Sequence, residues 1–194
     1  MIRIDTECIH IPLTKEMRDR AVSMADGDMP TYDKNRSHSE KVRNEIQGIL
    51  GEMAFKWILD KTNTQNEWVG NVSDFKQAGD FTVHGESVDV KTREAHPEWI
   101  DLIIQRHNGK TANHYVQVLV DSDFENAYLT GAIRHSEAEE VADEYNHGSR
   151  DKIMVPHDEL WMPVELSLYS CALKSEAEFE SHRAECNVPN KQCA

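Results

Sequence analysis

Long apolar runs are missing from this chain. No stretch approaches the roughly 20 residues that a helix needs to cross a bilayer, so no membrane partner is expected and a cytoplasmic protein is the default. The opening residues, MIRIDTECIHIPLT, lack the basic head and apolar run of a secretory leader, and none is expected. Cysteine is scarce: Cys8, Cys171, Cys186 and Cys193 form no CxxC pair. Cys186 and Cys193 with His182 are zinc-type ligands, but their spacing is irregular and inert thiols are the better expectation. No Pro/Gly-rich linker, internal repeat or low-complexity tract divides the 194 residues, which read as a single domain.

Positive charge is also short, and unevenly so. The formal net charge is −14, which is unfavourable for a polyanionic partner. Residues 1–112 carry 15 Lys and Arg against 19 Asp and Glu, whereas residues 113–194 carry 6 against 16. The acid is therefore concentrated late, as in SEAEEVADEY (136–145). The first 112 residues stand near enough to neutrality to permit nucleic-acid binding without predicting it. The late acidity leaves a second reading open: a non-catalytic acidic protein that mimics DNA and blocks a nucleic-acid-binding partner.

What is present is a clear alternation of elements. Leu13, Met17, Ala21 and Met24 predict an amphipathic helix over 14–25. After a polar loop (26–37), Ser37 and Glu40 fit a capping box opening a long helix to about residue 61. Its apolar stripe is Val42, Ile46, Ile49, Leu50, Met53, Ala54, Trp57 and Ile58. Strands are expected at 80–83, 87–92, 99–105, 115–120 and 127–133, with HGE (84–86) turning between the first two. YVQVLV is apolar enough for an interior strand covered on both faces. A helix at 136–145 and a mixed tail with Pro156 and Pro163 follow. This order predicts an α/β (α+β) domain, with a central mixed sheet flanked by helices.

The chemistry sits on the predicted hairpin. Side chains alternate along a strand, so Asp89, Lys91 and Arg93 share one face and Val88 and Val90 the other. A tight turn returns Asp80 beside them. Two converging carboxylates suit a hard divalent cation, and a lysine beside them can offset charge developing on a phosphorane. On these three residues alone, a cross-strand ion pair on a solvated face is the plainer account.

GILGEMAFKWIL (48–59), then Gly79-Asp80, then Asp89-Val90-Lys91 together resemble the PD-(D/E)XK nuclease superfamily, of restriction-endonuclease-like fold. The resemblance covers residues 39–133, leaving 134–194 as an acidic extension. It implies an αβββαβ core and Mg²⁺-dependent hydrolysis of DNA, with Mn²⁺ substituting. It also implies Glu52, Asp80 and Asp89 as metal ligands, the Val90 carbonyl completing the shell, and Lys91 activating water. An endonuclease of phage or prokaryotic DNA metabolism or restriction, acting on double-stranded DNA, is the implied activity, with a homodimer as one form it can take. Gly79 stands where the motif's name has proline, and Asp89 where glutamate is commoner. Glycine also permits a turn, and aspartate also binds Mg²⁺. Glu52 lies off the centre of the apolar stripe. Gly48 and Gly51 lie just before it and each costs about 1 kcal/mol of helix propensity, which points to close backbone approach on that flank.

Phosphate contacts are expected from cations. Arg36, Lys41 and Arg43 cluster at the start of the long helix, whose free amides also favour anions. Arg93 lies on the Lys91 face, and QRHNGK (105–110) adds Arg106 and Lys110. A solvated basic face explains each equally well taken singly. His38, His96, His107 and His114 are read as surface or supporting residues. Gln117 either faces Lys91 or is satisfied at a sheet edge. Trp57, Trp99 and Trp161 are read as packing residues.

Overall fold

The computed structural model describes residues 8–25, 37–69, 79–96, 101–105, 111–145 and 152–160. Helix formation begins where the sequence places its caps. Thr14 Oγ1 accepts from the Met17 amide at 3.2 Å and opens α1 (Lys15–Met24). The capping box at Ser37 is formed in both directions: the Glu40 amide donates to Ser37 Oγ, and the Ser37 amide to the Glu40 carboxylate. It opens α2 (His38–Lys61). Before these helices comes β1 (Ile9–Pro12). After them come β2 (Asn66–Trp68), β3 (Phe81–Val83), β4 (Glu86–Glu94), β5 (Leu102–Gln105), β6 (His114–Val120) and β7 (Asn126–Arg134). The described chain ends with α3 (His135–Tyr145), β8 (Lys152–Val155) and a short 3-10 turn at His157–Glu159.

Six strands form one mixed sheet in the order β1-β7-β6-β4-β3-β2, and β5 pairs with β8 in a separate ribbon. Among the described residues only β4 and β6 run parallel; every other pairing there is antiparallel. The β3–β4 turn places His84 at φ 49° and Gly85 at φ 89°. Positive φ at both loop residues is the geometry that matches strand twist in a two-residue hairpin. The expected α/β architecture is present, with helices over the sheet. Among the described residues the β4-to-β6 connection holds β5, and α3 follows β7. No helix among the described residues is long and apolar enough to cross a membrane.

Two apolar cores lie on opposite faces. Val116, Val118 and Val120 of β6 pack with Val88 and Val90 of β4 and with Leu50, Ala54, Phe55 and Ile58 of α2. Tyr115 instead joins Leu102, Ile104, Ile133, Ile153 and Val155. Every residue of β6 is buried, as expected of a mainly apolar interior strand. Gln117 is within this strand and fully buried, not at a sheet edge. The β6–β7 register jumps from Gly131 to Leu129, leaving Thr130 unpaired. The Thr130 hydroxyl then donates to Gln117 Oε1 at 2.7 Å.

The buried arc of α2 is rotated from the predicted stripe. Phe55 and Leu59 are in the core, whereas Trp57 is 38% exposed, with the Lys61 ammonium 5.4 Å from its ring centroid. Gly51 accounts for the rotation. A Cβ there would stand 1.9 Å from Thr92 Oγ1 of β4, so the helix meets the strand through this glycine. Gly48 has nothing within 4 Å and plays no such part. Overpacking typically costs about 1–3 kcal/mol, so Gly51→Ala is expected to lower the unfolding free energy by that amount, and the urea midpoint with it. Adding Thr92→Ala should recover only part, since Thr92 Cβ itself would lie 2.8 Å away. Urea unfolding of both variants checks this; an unchanged midpoint for Gly51→Ala would refute the close approach.

Candidate functional site

Asp80 sits one residue before β3, and the β3–β4 register (Phe81 opposite Val88) carries it alongside Asp89. Its amide donates to the Val88 carbonyl at 2.9 Å, and its Oδ2 accepts from the Val90 amide at 2.7 Å. The Val69 amide donates to the Asp80 carbonyl at 2.9 Å, so the residue following β2 fixes the same backbone. Gly79 makes this approach possible. Its φ is +148° and a Cβ would lie 2.8 Å from the Val88 carbonyl oxygen. Proline, locked near −65°, cannot adopt that conformation, which explains the glycine in the motif's proline position.

Glu52 reaches the hairpin from α2, on the flank set by the Gly51–Thr92 contact. Its Oε2 accepts from the Trp68 indole N–H at 2.8 Å. Asp89 and Lys91 share the other face of β4, with Lys91 Nζ 2.6 Å from Asp89 Oδ2. They are 22% and 28% exposed, so this pair opens to solvent. In the parallel pairing, Tyr115 stands beside Asp89 and Gln117 beside Lys91.

The four groups feel one another. The Glu52 carboxyl is pushed up to about 7, chiefly by burial and also by the Asp89 charge, with the Trp68 bond and Lys91 opposing. Asp80 is held well above the usual carboxylate range, first by burial and then by the charges of Asp89 and Glu52. The Val90 amide and Lys91 only partly counter this. Tyr115 is pushed up to about 12 by burial and by Asp89, and stays neutral. Three carboxylates thus face one ammonium in a partly desolvated site, which disfavours charge on all of them at once.

Among the described residues, no group of three or more His, Cys, Asp and Glu side chains is arranged to hold a metal ion as it stands. Each predicted ligand is turned to a protein donor instead: Glu52 to Trp68, Asp80 to the Val90 amide and Asp89 to Lys91. At Val90 the amide donates to Asp80 Oδ2. The donor set still fits a hard divalent cation. It is all carboxylate oxygen, carries excess negative potential, and each of these bonds uses only one oxygen of its carboxylate.

The predicted phosphate contacts fare differently. Arg43 is committed within the protein, to the Ser122 carbonyl at 2.8 Å, Glu94 at 3.3 Å and the Phe124 ring at 4.7 Å. Arg93 donates to the Asp101 carbonyl at 2.8 Å. Lys41 is partly exposed in the first turn of α2. Arg36, Arg106 and Lys110 lie outside the described residues, as do Trp99, His107, Trp161, Cys171, His182, Cys186 and Cys193. His114 is buried rather than at the surface; burial and then Arg134 lower it to about 4, so it is neutral. Sequence reasoning missed Trp68, the donor to Glu52. Its only signal is that a buried indole needs an acceptor, and that does not name which one.

Compared with protein-family models, curated proteins and solved structures, the chain gives no match in any of the three.

The raised carboxyls have a consequence for stability. The folded chain holds a proton on Glu52 up to about pH 7, whereas the unfolded chain loses it near 4.5. The stabilisation is complete below pH 4.5 and is lost as pH rises through about 7, a loss of about 3 kcal/mol from this group. Asp80 acts in the same direction. The melting temperature should therefore fall between pH 5 and 8, and Glu52→Gln, which keeps an acceptor for Trp68, should flatten that fall. Thermal melts across the range check this; identical slopes for both proteins would refute it.

Proposed function

We propose that the chain is a Mg²⁺-dependent nuclease hydrolysing DNA phosphodiester bonds, acting as an endonuclease on double-stranded DNA. The observation that carries the reading is the electrostatic coupling of a helix glutamate, two hairpin aspartates and Lys91 in one site. Their order along the chain is that of the superfamily which the sequence resembles, and the mixed sheet with α2 packed on it is compatible with such a fold. When bound, Mg²⁺ supplies Lewis acidity at a phosphoryl oxygen and a lowered pKa for water.

The chain's own residues account for the rest. The quarter-exposed Asp89–Lys91 pair is the part of the site that an incoming phosphodiester meets. The Lys91 ammonium offsets charge that grows on the phosphoryl oxygens as water attacks phosphorus and the P–O3′ bond breaks. The water proton leaves to solvent, the 3′ oxygen departs as a hydroxyl, and the 5′ end keeps the phosphate. Glu52 and Asp80, held by the Trp68 and Val90 N–H groups, keep their carboxylates directed at the hairpin. Lys41 and the first turn of α2 supply a cation and free amides for the DNA backbone.

The test is conversion of supercoiled plasmid in Mg²⁺ by wild type, Asp89→Ala and Lys91→Ala. Removing either group should slow nicking by about 100-fold or more, and EDTA should abolish it in the wild type. Equal nicking by all three proteins would sink the assignment.

A further inference from the structure

Trp68 belongs to no predicted motif, yet its contacts converge on Glu52. Its indole N–H donates to Glu52 Oε2 at 2.8 Å. Its ring lies parallel to that of Phe81, with centroids 6.2 Å apart at 11°, and the two residues are cross-strand partners in the β2–β3 pairing. Phe81 is itself fixed: it is 1% exposed and meets Phe55 of α2 edge-on at 5.2 Å. The Arg20 guanidinium of α1 stands 5.4 Å from the Trp68 centroid. The indole is therefore held by β3 and by α1, and has little freedom to turn its N–H elsewhere. One residue on, the Val69 amide fixes the Asp80 carbonyl at 2.9 Å.

The end of β2 thus touches both the helix acid and the loop acid, while belonging to neither of their elements. A glutamate side chain has three rotatable bonds, and on a helix flank nothing else among the described residues bonds Glu52. A rigid N–H donor selects one rotamer and leaves the second oxygen directed away from the indole, an arrangement that outer partners of carboxylate ligands commonly provide.

We propose that Trp68 is a positioning residue for Glu52, setting its carboxylate so that the free oxygen serves a divalent cation held with Asp80 and Asp89. This rests on the nuclease reading of the same site, and the experiment separates the two. Mn²⁺ binding is measured by titration calorimetry on wild type, Trp68→Phe, Glu52→Ala and the double variant, with no nucleic acid present. Phenylalanine keeps a ring for Phe81 and removes the N–H. Trp68→Phe should weaken Mn²⁺ binding about tenfold or more, but have no further effect in the Glu52→Ala background.

If Trp68 only supports the fold, its loss should weaken binding equally in both backgrounds, and that result overturns the proposal. Unchanged affinity in Trp68→Phe also overturns it, while leaving the cation site intact. No Mn²⁺ binding by wild type removes the cation site and the proposal together. Should Phe at position 68 lower the melting temperature of the metal-free protein, benzothienylalanine at position 68 serves instead. It has the shape of tryptophan with sulfur in place of the N–H, and the same outcomes decide.

Discussion

The distance between α2 and β4 is the constraint on which the site depends. It is set at Gly51, where the helix lies against Thr92 with no room for a side chain. A larger residue there would lift the helix, and Glu52, the next residue, would rise with it. The same contact rotates α2 so that Phe55 turns inward against Phe81 and Trp57 turns outward. Backbone packing, and not any polar contact, brings the helix acid within electrostatic reach of the hairpin acids. Thr92 shows what the closeness costs: its hydroxyl is buried and has no hydrogen-bond partner among the described residues, a penalty of about 1–3 kcal/mol.

Elsewhere the molecule follows local rules closely. The capping box is complete, the interior strand is buried on both faces, and its Gln117 is matched by a bulge that supplies Thr130. Against that background, the hairpin stands out as the place where several rules are broken together. Gly79 takes a φ closed to most residues, Asp80 replaces a ladder partner at Val90, and three carboxylates share one ammonium. Local inconsistency concentrated in one place, within an otherwise consistent fold, is the pattern expected of a working site rather than of poor packing.

Much of this was legible in the sequence. Periodicity located α1, α2 and the strands that became β3, β4, β6 and β7, because each carries its own alternation or stripe and clear punctuation. β1, β2 and β8 were not found. They are three or four residues long, and their strand character comes from pairing partners remote in sequence. Of the expected 99–105 strand, Leu102–Gln105 is present and residues 99 and 100 lie outside the described residues; it belongs to the ribbon with β8, a partner no local pattern reveals. The convergence of Asp80 with Asp89 was readable from the turn, since a two-residue hairpin fixes register. The Glu52 side was readable only as a direction, from the glycine at 51. Trp68 was not readable at all, because the Glu52–Trp68 bond joins α2 to a three-residue strand whose place is set by its pairing with β3. Arg43 misled for a related reason. Its charge suited phosphate, but its guanidinium is taken up by Ser122, Glu94 and Phe124, a pocket made from two other elements.

The donors now engaging the three carboxylates are not equivalent, and their differences order how the site responds to a cation. The Asp89–Lys91 pair is partly solvated and linked through two side chains, so water already competes with it and its net strength is of order 0–1 kcal/mol. The Asp80–Val90 bond uses a backbone amide that cannot rotate away without breaking the hairpin. The Glu52–Trp68 bond uses an indole stacked on a buried ring. A divalent charge entering this field therefore meets one weak competitor and two fixed supports. For the proposed nuclease, Asp89 is the ligand whose present partner would yield most readily to a cation, and the Lys91 ammonium would then be available to a phosphate. On the proposed reading, the ion pair that looked like the plainer account of Asp89 and Lys91 is the closed form of the same machinery.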